Sequence, residues 1–394
     1  MENKGCPGFQ WAGVASGLKK TNEKDLGLIF SEVPAAAAAV FTRNKIQAAP
    51  VKLDQVRIKS GLCQALIVNS GNANCCTAEQ GMQDAVRMSQ LAASGLGISE
   101  DLVLVASTGV IGQPLDMHKI EKAVPSLVKA LKSDGIIDFA EAIMTTDTVP
   151  KVVTRQADLD GKPFTLAGVA KGSGMIRPNM ATLLCFVMTD VRASADQLNQ
   201  MLVAAADKSL NRISIDGDTS TNDTALLIAN GRSAAQILNA DHMASFQSIL
   251  DDVLLTLARH LVQDGEGVTK VVEVVVKGAL SDHDADQIVD TVVHSNLLKT
   301  AFFGEDANWG RIFAAVGRAG VEIDPDTIDV SFDDVLMVHN SAGCGGKAEM
   351  QATAVMKKPE FKVTIDLKIG DGHASMLTCD FSVDYVKINA DYRS

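Results

Sequence analysis

The sequence predicts a mixed protein of the α/β or α+β class, because short apolar segments of strand length alternate with amphipathic helical segments throughout. Hydrophobic residues make up 46% of the 394 residues and charged residues 21%. These fractions are typical of a globular chain and exclude wholesale disorder. The length predicts two to three domains or one large two-lobed unit. Strict β-α-β regularity is not evident, so the chain is not assigned to a doubly wound parallel sheet.

The strand predictions rest on short runs of aliphatic residues that are bounded by polar or glycine-containing segments. Most of the runs are continuously apolar, which is typical of strands buried on both faces. The last one alternates apolar and polar residues, which indicates a strand with one wet face. The predicted strands are residues 65–68, 102–106, 224–229, 271–276 and 363–369.

The helix predictions rest on capping signals and on apolar residues at helical spacing. Thr77 with Gln80, and Ser194 with Gln197, have the spacing of a capping box at a helix start. Residues 246–261 place apolar side chains on one face over four turns. We therefore predict helices that start after Thr77 and after Ser194, and a third helix over residues 246–261.

Charge and cysteine content exclude several classes of protein. The net charge is -12 and no long Lys/Arg cluster occurs, which argues against binding to nucleic acid or to an anionic membrane. The seven cysteines are odd in number and contain no C-x-x-C pair, so neither a disulfide framework nor a zinc ribbon is expected. The first residues lack an apolar signal region and no run of 18 apolar residues occurs, so we expect a cytoplasmic protein.

Several familiar site motifs are incomplete. In the dinucleotide-binding pattern, Gly172 and Gly174 are present but Arg177 stands in place of the third glycine. Residues 345–347 resemble the end of a P-loop, but Ala348 replaces the required Ser or Thr. The acidic segment 282–286 has no second cluster of metal ligands in the sequence, so an acidic surface turn is expected there. No cofactor and no metal are predicted.

The most informative segment is residues 171–186, KGSGMIRPNMATLLCF. A glycine-rich loop leads to Ala181, then to Thr182, then to an apolar run. If the peptide bond between Ala181 and Thr182 breaks, Thr182 becomes an N-terminal residue that carries both a nucleophilic hydroxyl and a basic α-amine. On this segment alone the alternative stays open and is the commoner case: a loop that enters a buried strand, with Thr182 favoured as a β-former.

Polar segments interrupt the apolar strands at several places. One such segment would be a loop, but their number, together with the loop before Thr182, indicates one shared pocket. The six polar segments are residues 69–74, 107–112, 144–148, 216–223, 264–270 and 387–392.

These segments resemble those of the ornithine acetyltransferases of arginine biosynthesis, also called glutamate N-acetyltransferases. The resemblance covers the chain from about residue 68 to the C-terminus, and the run Lys-Gly-Ser-Gly-Met-Ile-x-Pro-Asn-Met-Ala-Thr at 171–182 is highly specific to the family. The resemblance implies a layered fold with helices outside two packed sheets. It also implies self-cleavage between Ala181 and Thr182, which gives an α chain of residues 1–181 and a β chain of residues 182–394.

The resemblance further implies an activity: transfer of the acetyl group of N2-acetylornithine to glutamate through an acetyl ester on Thr182. Two chains of each kind are the expected assembly. Whether acetyl-CoA also serves as the acetyl donor stays open. Residues that match the family's oxyanion hole are Thr108 and Gly109. Residues that match its substrate contacts are Thr145, Lys171, Thr182, Glu266, Asn389 and Ser394, with Thr146 as the alternative to Thr145 if the register differs by one.

Two other functions remain open at this stage. One is an amidase or aminopeptidase-like hydrolase with the same threonine nucleophile, in which water intercepts the acyl-enzyme. The other is an uncleaved scaffold without enzymatic activity. The segment Asn308-Trp309-Gly310-Arg311 also resembles a family segment, and we expect a structural rather than a catalytic role for it.

Overall fold

The computed structural model describes residues 5–177 and 183–391. The chain forms two compact units. Unit 1 contains Met1–Asn211 and Asp218–Leu261, and unit 2 contains Arg212–Gly217 and Val262–Ser394. The predicted boundary at residue 181 concerns one peptide bond, so this division into units does not test it.

Unit 1 holds one large sheet and its helices. Its strands are β1 (Phe9–Val14), β2 (Leu26–Phe41), β3 (Leu62–Asn72), β4 (Val103–Val110), β5 (Lys151–Leu159), β6 (Lys162–Lys171), β7 (Leu184–Thr189) and β8 (Thr224–Ala229). Its helices are α1 (Ala49–Arg57), α2 (Ala78–Leu96), α3 (Met117–Lys129), α4 (Ile136–Ala142), α5 (Ala195–Lys208) and α6 (Ala240–Gln263), the last two residues of which are counted with unit 2. The strand order is β4-β3-β2-β8-β7-β6-β5, and β1 pairs with β2.

The long strand β2 joins the two halves of this sheet. Its first half pairs with β3 and its second half pairs with β8. Between Phe30 and Ala35 the register against β3 shifts, and this interval contains Pro34, which has no N–H to donate to a neighbouring strand. The irregularity lets β2 bend, because a bulged strand turns more sharply than a regular one.

The two halves of the sheet share one apolar core. The cluster contains Leu66 and Leu104 from β3 and β4, together with Val169, Phe186 and Leu226 from β6, β7 and β8. Adjacent strands lie about 4.8 Å apart, so β4 and β6 would be separated by about 24 Å in a flat sheet of this order. The sheet therefore folds over and packs its halves against each other.

Helices cover the outer faces of the folded sheet. Ile67 of β3 points away from the shared core and packs with Met88 of α2 and Ile120 of α3. On the other half, Gly168 of β6 lies so close to α6 that an added Cβ would come within 2.8 Å of Leu257 Cδ1. The predicted layered arrangement of helices around packed sheet layers is confirmed.

Unit 2 holds the second sheet. Its strands are β9 (Val271–Ala279), β10 (Asp329–Phe332), β11 (Val335–His339), β12 (Ala342–Gly343), β13 (Glu360–Asp366) and β14 (Gly372–Cys379), in the order β12-β11-β10-β13-β9-β14. Its helices are α7 (Asp282–Val293), α8 (Asn296–Phe303), α9 (Trp309–Gly317), α10 (Gly346–Met356) and α11 (Val383–Ala390). One apolar cluster joins the sheet to α7, α8, α9 and α10, so the unit has its own core.

One of the two predicted capping boxes is wrong. Helix α2 does start after Thr77, but the Thr77 hydroxyl donates to Asn74 Oδ1 at 3.0 Å and does not cap the helix. The Gln80 side chain donates instead to Asp84 Oδ1 at 2.8 Å. Asn74, which lies before the helix, thus takes the hydrogen bond of the Thr77 hydroxyl. Asp84, one turn after Gln80, takes that of the Gln80 amide. The predicted box of Ser194 and Gln197 is confirmed at the start of α5.

Two further predictions need correction. Residues 282–286 are the first turn of α7 rather than a surface turn, because the Ser281 hydroxyl caps that helix by accepting from the Asp284 N–H. The strand predicted over 363–369 ends at Asp366, and Leu367 and Ile369 bond back to β9 residues through their own N–H groups. The helix predicted over 246–261 lies inside α6.

The structure also bears on classes of protein considered above. Over residues 5–177 and 183–391, no helix has the length and apolar character that a bilayer span requires. Over the same ranges, no group of three or more His, Cys, Asp or Glu side chains is arranged to bind a metal. All seven cysteines are free thiols.

Candidate active site

The end of β4 presents the predicted oxyanion-hole residues. Thr108 and Gly109 are the third- and second-last residues of β4, and Gly109 lies opposite Gly71 on the parallel strand β3. The φ angle of Gly109 is 132°, and an added Cβ would lie 2.3 Å from the Gly71 carbonyl carbon. Only glycine fits this backbone conformation and this close approach.

Lys171 ends β6 and reaches the end of β4. Its Nζ donates to Thr108 Oγ1 at 3.2 Å and to Thr145 Oγ1 at 2.8 Å. Its side chain is only 9% exposed. The folded sheet is what makes this contact possible, since β4 and β6 are five strands apart in the order of the sheet.

Asp147 lies beneath this group and accepts several hydrogen bonds. Its oxygens accept from the Gly172 N–H at 2.7 Å, the Thr145 N–H at 3.0 Å and Lys151 Nζ at 2.7 Å. Lys171 Nζ lies 3.8 Å from Asp147 Oδ2. Burial alone would raise the pKa of the Asp147 carboxyl, but the two ammonium groups and the hydrogen bonds hold this pKa well below its usual range. Asp147 is therefore an anion at neutral pH.

Asp223 is a second buried carboxyl near the same lysine. It precedes β8 and is 2% exposed. Burial raises the pKa of Asp223 well above its usual range, although hydrogen bonds from Ser220, Thr42 and the Leu183 backbone and the charge of Lys171 act in the opposite direction. Within the described part of the chain, its Oδ2 has no hydrogen-bond partner. A buried carboxyl with a raised pKa thus lies beside the residue that follows Thr182 in the sequence.

The glycine-rich loop starts in an unusual backbone conformation. Gly172 has a φ of 154°, and an added Cβ would lie 2.9 Å from Ile176 Cδ1. Farther along the loop, Met175 has a positive φ of 58°. Ala181 and Thr182, the predicted cleavage site and nucleophile, lie outside the described residues.

In unit 2, two predicted substrate contacts touch each other. Asn389 on α11 donates from Nδ2 to Glu266 Oε2 at 2.7 Å. Just before α11, the Ser382 hydroxyl donates to the Gly267 carbonyl at 2.6 Å, which holds the loop that carries Glu266 against the start of the helix. Ser394 lies outside the described residues. The roles of all these residues remain predictions.

Of the alternatives Thr145 and Thr146, Thr145 has a hydroxyl that accepts from Lys171 Nζ, which favours Thr145, and its role in substrate binding stays a prediction. The structure also draws attention to three residues to which the sequence assigned no individual role: Asp147 and Asp223, which lie inside two of the predicted polar segments, and Lys151, which lies outside them. The spacing of Asp147 and Lys151, four residues apart with opposite charge, was a signal for those two residues. The predicted structural role of Asn308 agrees with its position as the N-cap of α9, where it accepts from the Arg311 N–H at 3.2 Å.

Comparison with known proteins gives a consistent result. The family model described as ArgJ family matches residues 10–394. Proteins named arginine biosynthesis bifunctional protein ArgJ from Geobacter sulfurreducens and Syntrophotalea carbinolica are 52% and 53% identical, over 98% of this chain and 99% of each relative. The solved structure of ornithine acetyltransferase from Mycobacterium tuberculosis, complexed with ornithine, is 37% identical, covers 46% of this chain and 98% of that chain, and has a TM-score of 0.42.

Proposed function

This chain belongs to the ArgJ family, and we propose that it transfers the acetyl group of N2-acetylornithine to glutamate, giving ornithine and N-acetylglutamate. The observation that carries the proposal is the convergence of the half-buried Thr108 and Thr145 on the buried Lys171. A cation with two hydroxyl groups beside it suits a substrate that carries a carboxylate beside an amide.

Maturation is the first proposed step. The Thr182 hydroxyl attacks the Ala181 carbonyl carbon, an ester forms as the peptide C–N bond breaks, and the proton passes from the hydroxyl to the departing amine. Water then opens the ester and leaves a free carboxyl group on Ala181. The products are the α chain, residues 1–181, and the β chain, residues 182–394. The positive φ of Gly172 supports this step, because glycine lets the start of the loop adopt a backbone direction that other residues resist.

Acetyl transfer follows in two half-reactions. The free α-amine of Thr182 takes the proton of its own hydroxyl, since an α-amine titrates near neutral pH. The hydroxyl oxygen attacks the acetyl carbon, the amide C–N bond breaks, and the α-amine passes the proton to the departing amine of ornithine. The amine of glutamate then attacks the acetyl ester, and its proton returns to the oxygen of Thr182 as the ester C–O bond breaks. Thr108 and Gly109 would stabilise the oxyanion of each tetrahedral intermediate. Loss of one donor in such a hole raises the barrier by about 2.7–4 kcal/mol.

Substrate binding needs groups of both charges. Lys171 would pair with the α-carboxylate that N2-acetylornithine and glutamate share, and Thr145 would hold that lysine in place. Glu266 would take the side-chain ammonium of ornithine, with Asn389 and Ser394 as further substrate contacts. The buried position of Glu266 supports this role, since a carboxylate that is 7% exposed and bonded to an amide is poorly placed for a purely solvated role.

The name of the curated relatives supports a second activity, because it describes them as bifunctional. We propose that acetyl-CoA also serves as the acetyl donor to glutamate. An assembly of two α and two β chains and a cytoplasmic location are proposed as well. The seven free cysteines support a reducing compartment.

The test combines a denaturing gel with two assays on the purified full-length product. Two bands, with a second N-terminal sequence that begins Thr-Leu-Leu-Cys, and acetylation of glutamate by N2-acetylornithine are the expected results. A single band after long incubation without transfer would favour the scaffold. Release of acetate without N-acetylglutamate would favour the hydrolase. Replacing N2-acetylornithine by acetyl-CoA in the same assay tests the second activity separately.

A further inference from the structure

A buried lysine of unit 1 has no role in the proposed reaction. Lys151 starts β5, and its side chain is only 1% exposed. Its Nζ lies 2.7 Å from Asp147 Oδ1, and the Asp147 side chain is fully buried. A buried lysine is costly unless it is paired, and replacing a buried ion pair with apolar residues is often neutral or stabilising. Stability alone therefore does not explain why the ion pair of Lys151 and Asp147 is present at this position.

The charges around Asp147 do not balance. One carboxylate faces two ammonium groups: Lys151 Nζ at 2.7 Å and Lys171 Nζ at 3.8 Å. The closer ammonium, that of Lys151, makes the ion pair with a hydrogen bond. Lys171 instead donates hydrogen bonds to the hydroxyl oxygens of Thr108 and Thr145. The charges of these three groups sum to one positive charge. Because Lys151 bonds to the carboxylate, we place that charge on Lys171, which ends β6 and reaches the end of β4.

Two further ionisable groups interact with the charge of Lys171. Burial raises the pKa of the Asp223 carboxyl well above its usual range, which favours the uncharged form of that group. The ammonium group of Lys19 has its own carboxylates nearby in Glu23 and Asp25, and its Nζ donates to the Lys24 carbonyl at 2.9 Å.

We propose that Lys151 is a positioning residue that neutralises Asp147, so that Lys171 keeps its positive charge and its orientation for the α-carboxylate of the substrate. This inference rests on the proposed function, in which Lys171 binds that carboxylate. Asp147 in turn anchors the start of the glycine-rich loop through the Gly172 N–H and the start of its own turn through the Thr145 N–H. Without Lys151, the Asp147 carboxylate would draw Lys171 into a direct pair and cancel its charge.

The first test is Lys151→Met in the full-length chain, measured by steady-state kinetics with N2-acetylornithine and glutamate. Because a charged hydrogen bond to the carboxylate is weakened, KM for both substrates is expected to rise by about 10–100-fold, with kcat changed much less. Lys151→Gln, which keeps a hydrogen-bond donor toward Asp147 without the charge, serves the same purpose if the methionine variant does not fold. Unchanged KM values in a folded variant would overturn the proposal.

The double variant Lys151→Met/Asp147→Asn separates charge from packing. It removes both buried charges, so the net charge on Lys171 is restored, and an asparagine oxygen can still accept one of the two backbone N–H groups. We expect KM to return to within about threefold of the parent value. A double variant with a KM as high as that of Lys151→Met would mean that the pair only supports the fold, which contradicts the proposal.

A substrate without the carboxylate gives an independent readout. N-acetylputrescine is N2-acetylornithine without its α-carboxylate, and it can be tested as a donor or as a competitive inhibitor. Its KM or inhibition constant should be the same in Lys151→Met as in the parent enzyme, whereas an equal loss for both compounds would contradict the inference. Arg57→Met is the matched control, because Arg57 is a largely buried cation of unit 1 paired with Glu100, and its KM values should not change.

The two hypotheses fail in different ways. If the parent protein does not transfer acetyl groups from N2-acetylornithine, the proposed function is wrong. If the parent protein does transfer them and the Lys151 variants keep its KM values, the proposed function stands and only the role of Lys151 is wrong.

Discussion

Gly109 and Gly71 face each other on the parallel strands β4 and β3, so closely that a Cβ at Gly109 would lie 2.3 Å from the Gly71 carbonyl carbon. No rotation of a side chain relieves this contact, because the backbone fixes the position of a Cβ and the Gly71 carbonyl carbon is itself a backbone atom. Any residue other than glycine must therefore move the end of β4, which is where the proposed oxyanion hole lies.

We predict that Gly109→Ala lowers kcat by about 100-fold or more, which is the effect of losing an oxyanion donor. Gly112→Ala is the matched control. Gly112 also has a positive φ, at 82°, but an added Cβ there would have no atom of the described residues within 4 Å beyond its own chain neighbours. The control should lose about 1–2 kcal/mol of stability, the cost of a Cβ in the left-handed region, and retain kcat. Urea unfolding measures the stability of both variants, and steady-state kinetics measures their kcat. Equal kcat values for Gly109→Ala and Gly112→Ala would contradict the proposed role of Gly109 in the oxyanion hole.

Thr182→Ala tests the nucleophile that the sequence predicts. Without a hydroxyl on this residue, neither the ester of maturation nor the acetyl ester can form. We expect a single band of full length on a denaturing gel and no transfer of acetyl groups. Thr182→Ser keeps the hydroxyl and should still yield two bands. Two bands from the alanine variant would contradict the mechanism.

Thr145 and Thr146 provide a second matched pair. The Thr145 hydroxyl accepts from Lys171 Nζ at 2.8 Å, so Thr145→Val leaves the lysine with one fewer partner. We expect about a tenfold rise in KM for N2-acetylornithine, in line with the loss of one charged hydrogen bond. Thr146→Val should keep KM within about twofold. The opposite ranking of the two variants would place the substrate contact at residue 146.

The sequence predicted the parts of the fold that depend on local patterns. The strand over residues 224–229 and the capping box of Ser194 follow from apolar runs and from short-range hydrogen bonding, so both are confirmed. The Thr77 box failed because its hydroxyl bonds to Asn74. Competition between nearby polar groups is decided by geometry that a spacing rule does not contain.

The sequence also marked most of the polar segments of the site, but it did not show how they meet. Lys171 and Thr108 are 63 residues apart, and their contact depends on the fold of the sheet at β2. The sequence did not single out Lys151, because burial of a charged side chain depends on long-range packing. The assignment of Thr182 came from the family-specific run rather than from the general chemistry of glycine-rich loops.

Asp147 and Asp54 are both buried in unit 1 and are predicted to change stability with pH in opposite directions. The ion pairs of Asp147 outweigh burial and lower its pKa. Burial raises the pKa of Asp54 well above its usual range, against the Val105 N–H bond and the charge of Arg57. The native state therefore binds fewer protons than the unfolded state at Asp147, and more protons at Asp54.

It follows that Asp147→Asn should be destabilising by about 3–5 kcal/mol at neutral pH, as for one broken buried pair. This deficit should shrink as the pH falls below about 4, where the unfolded Asp147 carboxyl becomes protonated. For Asp54→Asn, stability relative to the parent protein should rise with increasing pH above about 4, by at most about 1.4 kcal/mol per pH unit. Urea unfolding between pH 3 and pH 8 measures both trends. Parallel curves for the two variants would mean that the Asp147 carboxylate is not held by Lys151 and Lys171, and would remove the charge balance on which the role of Lys151 depends.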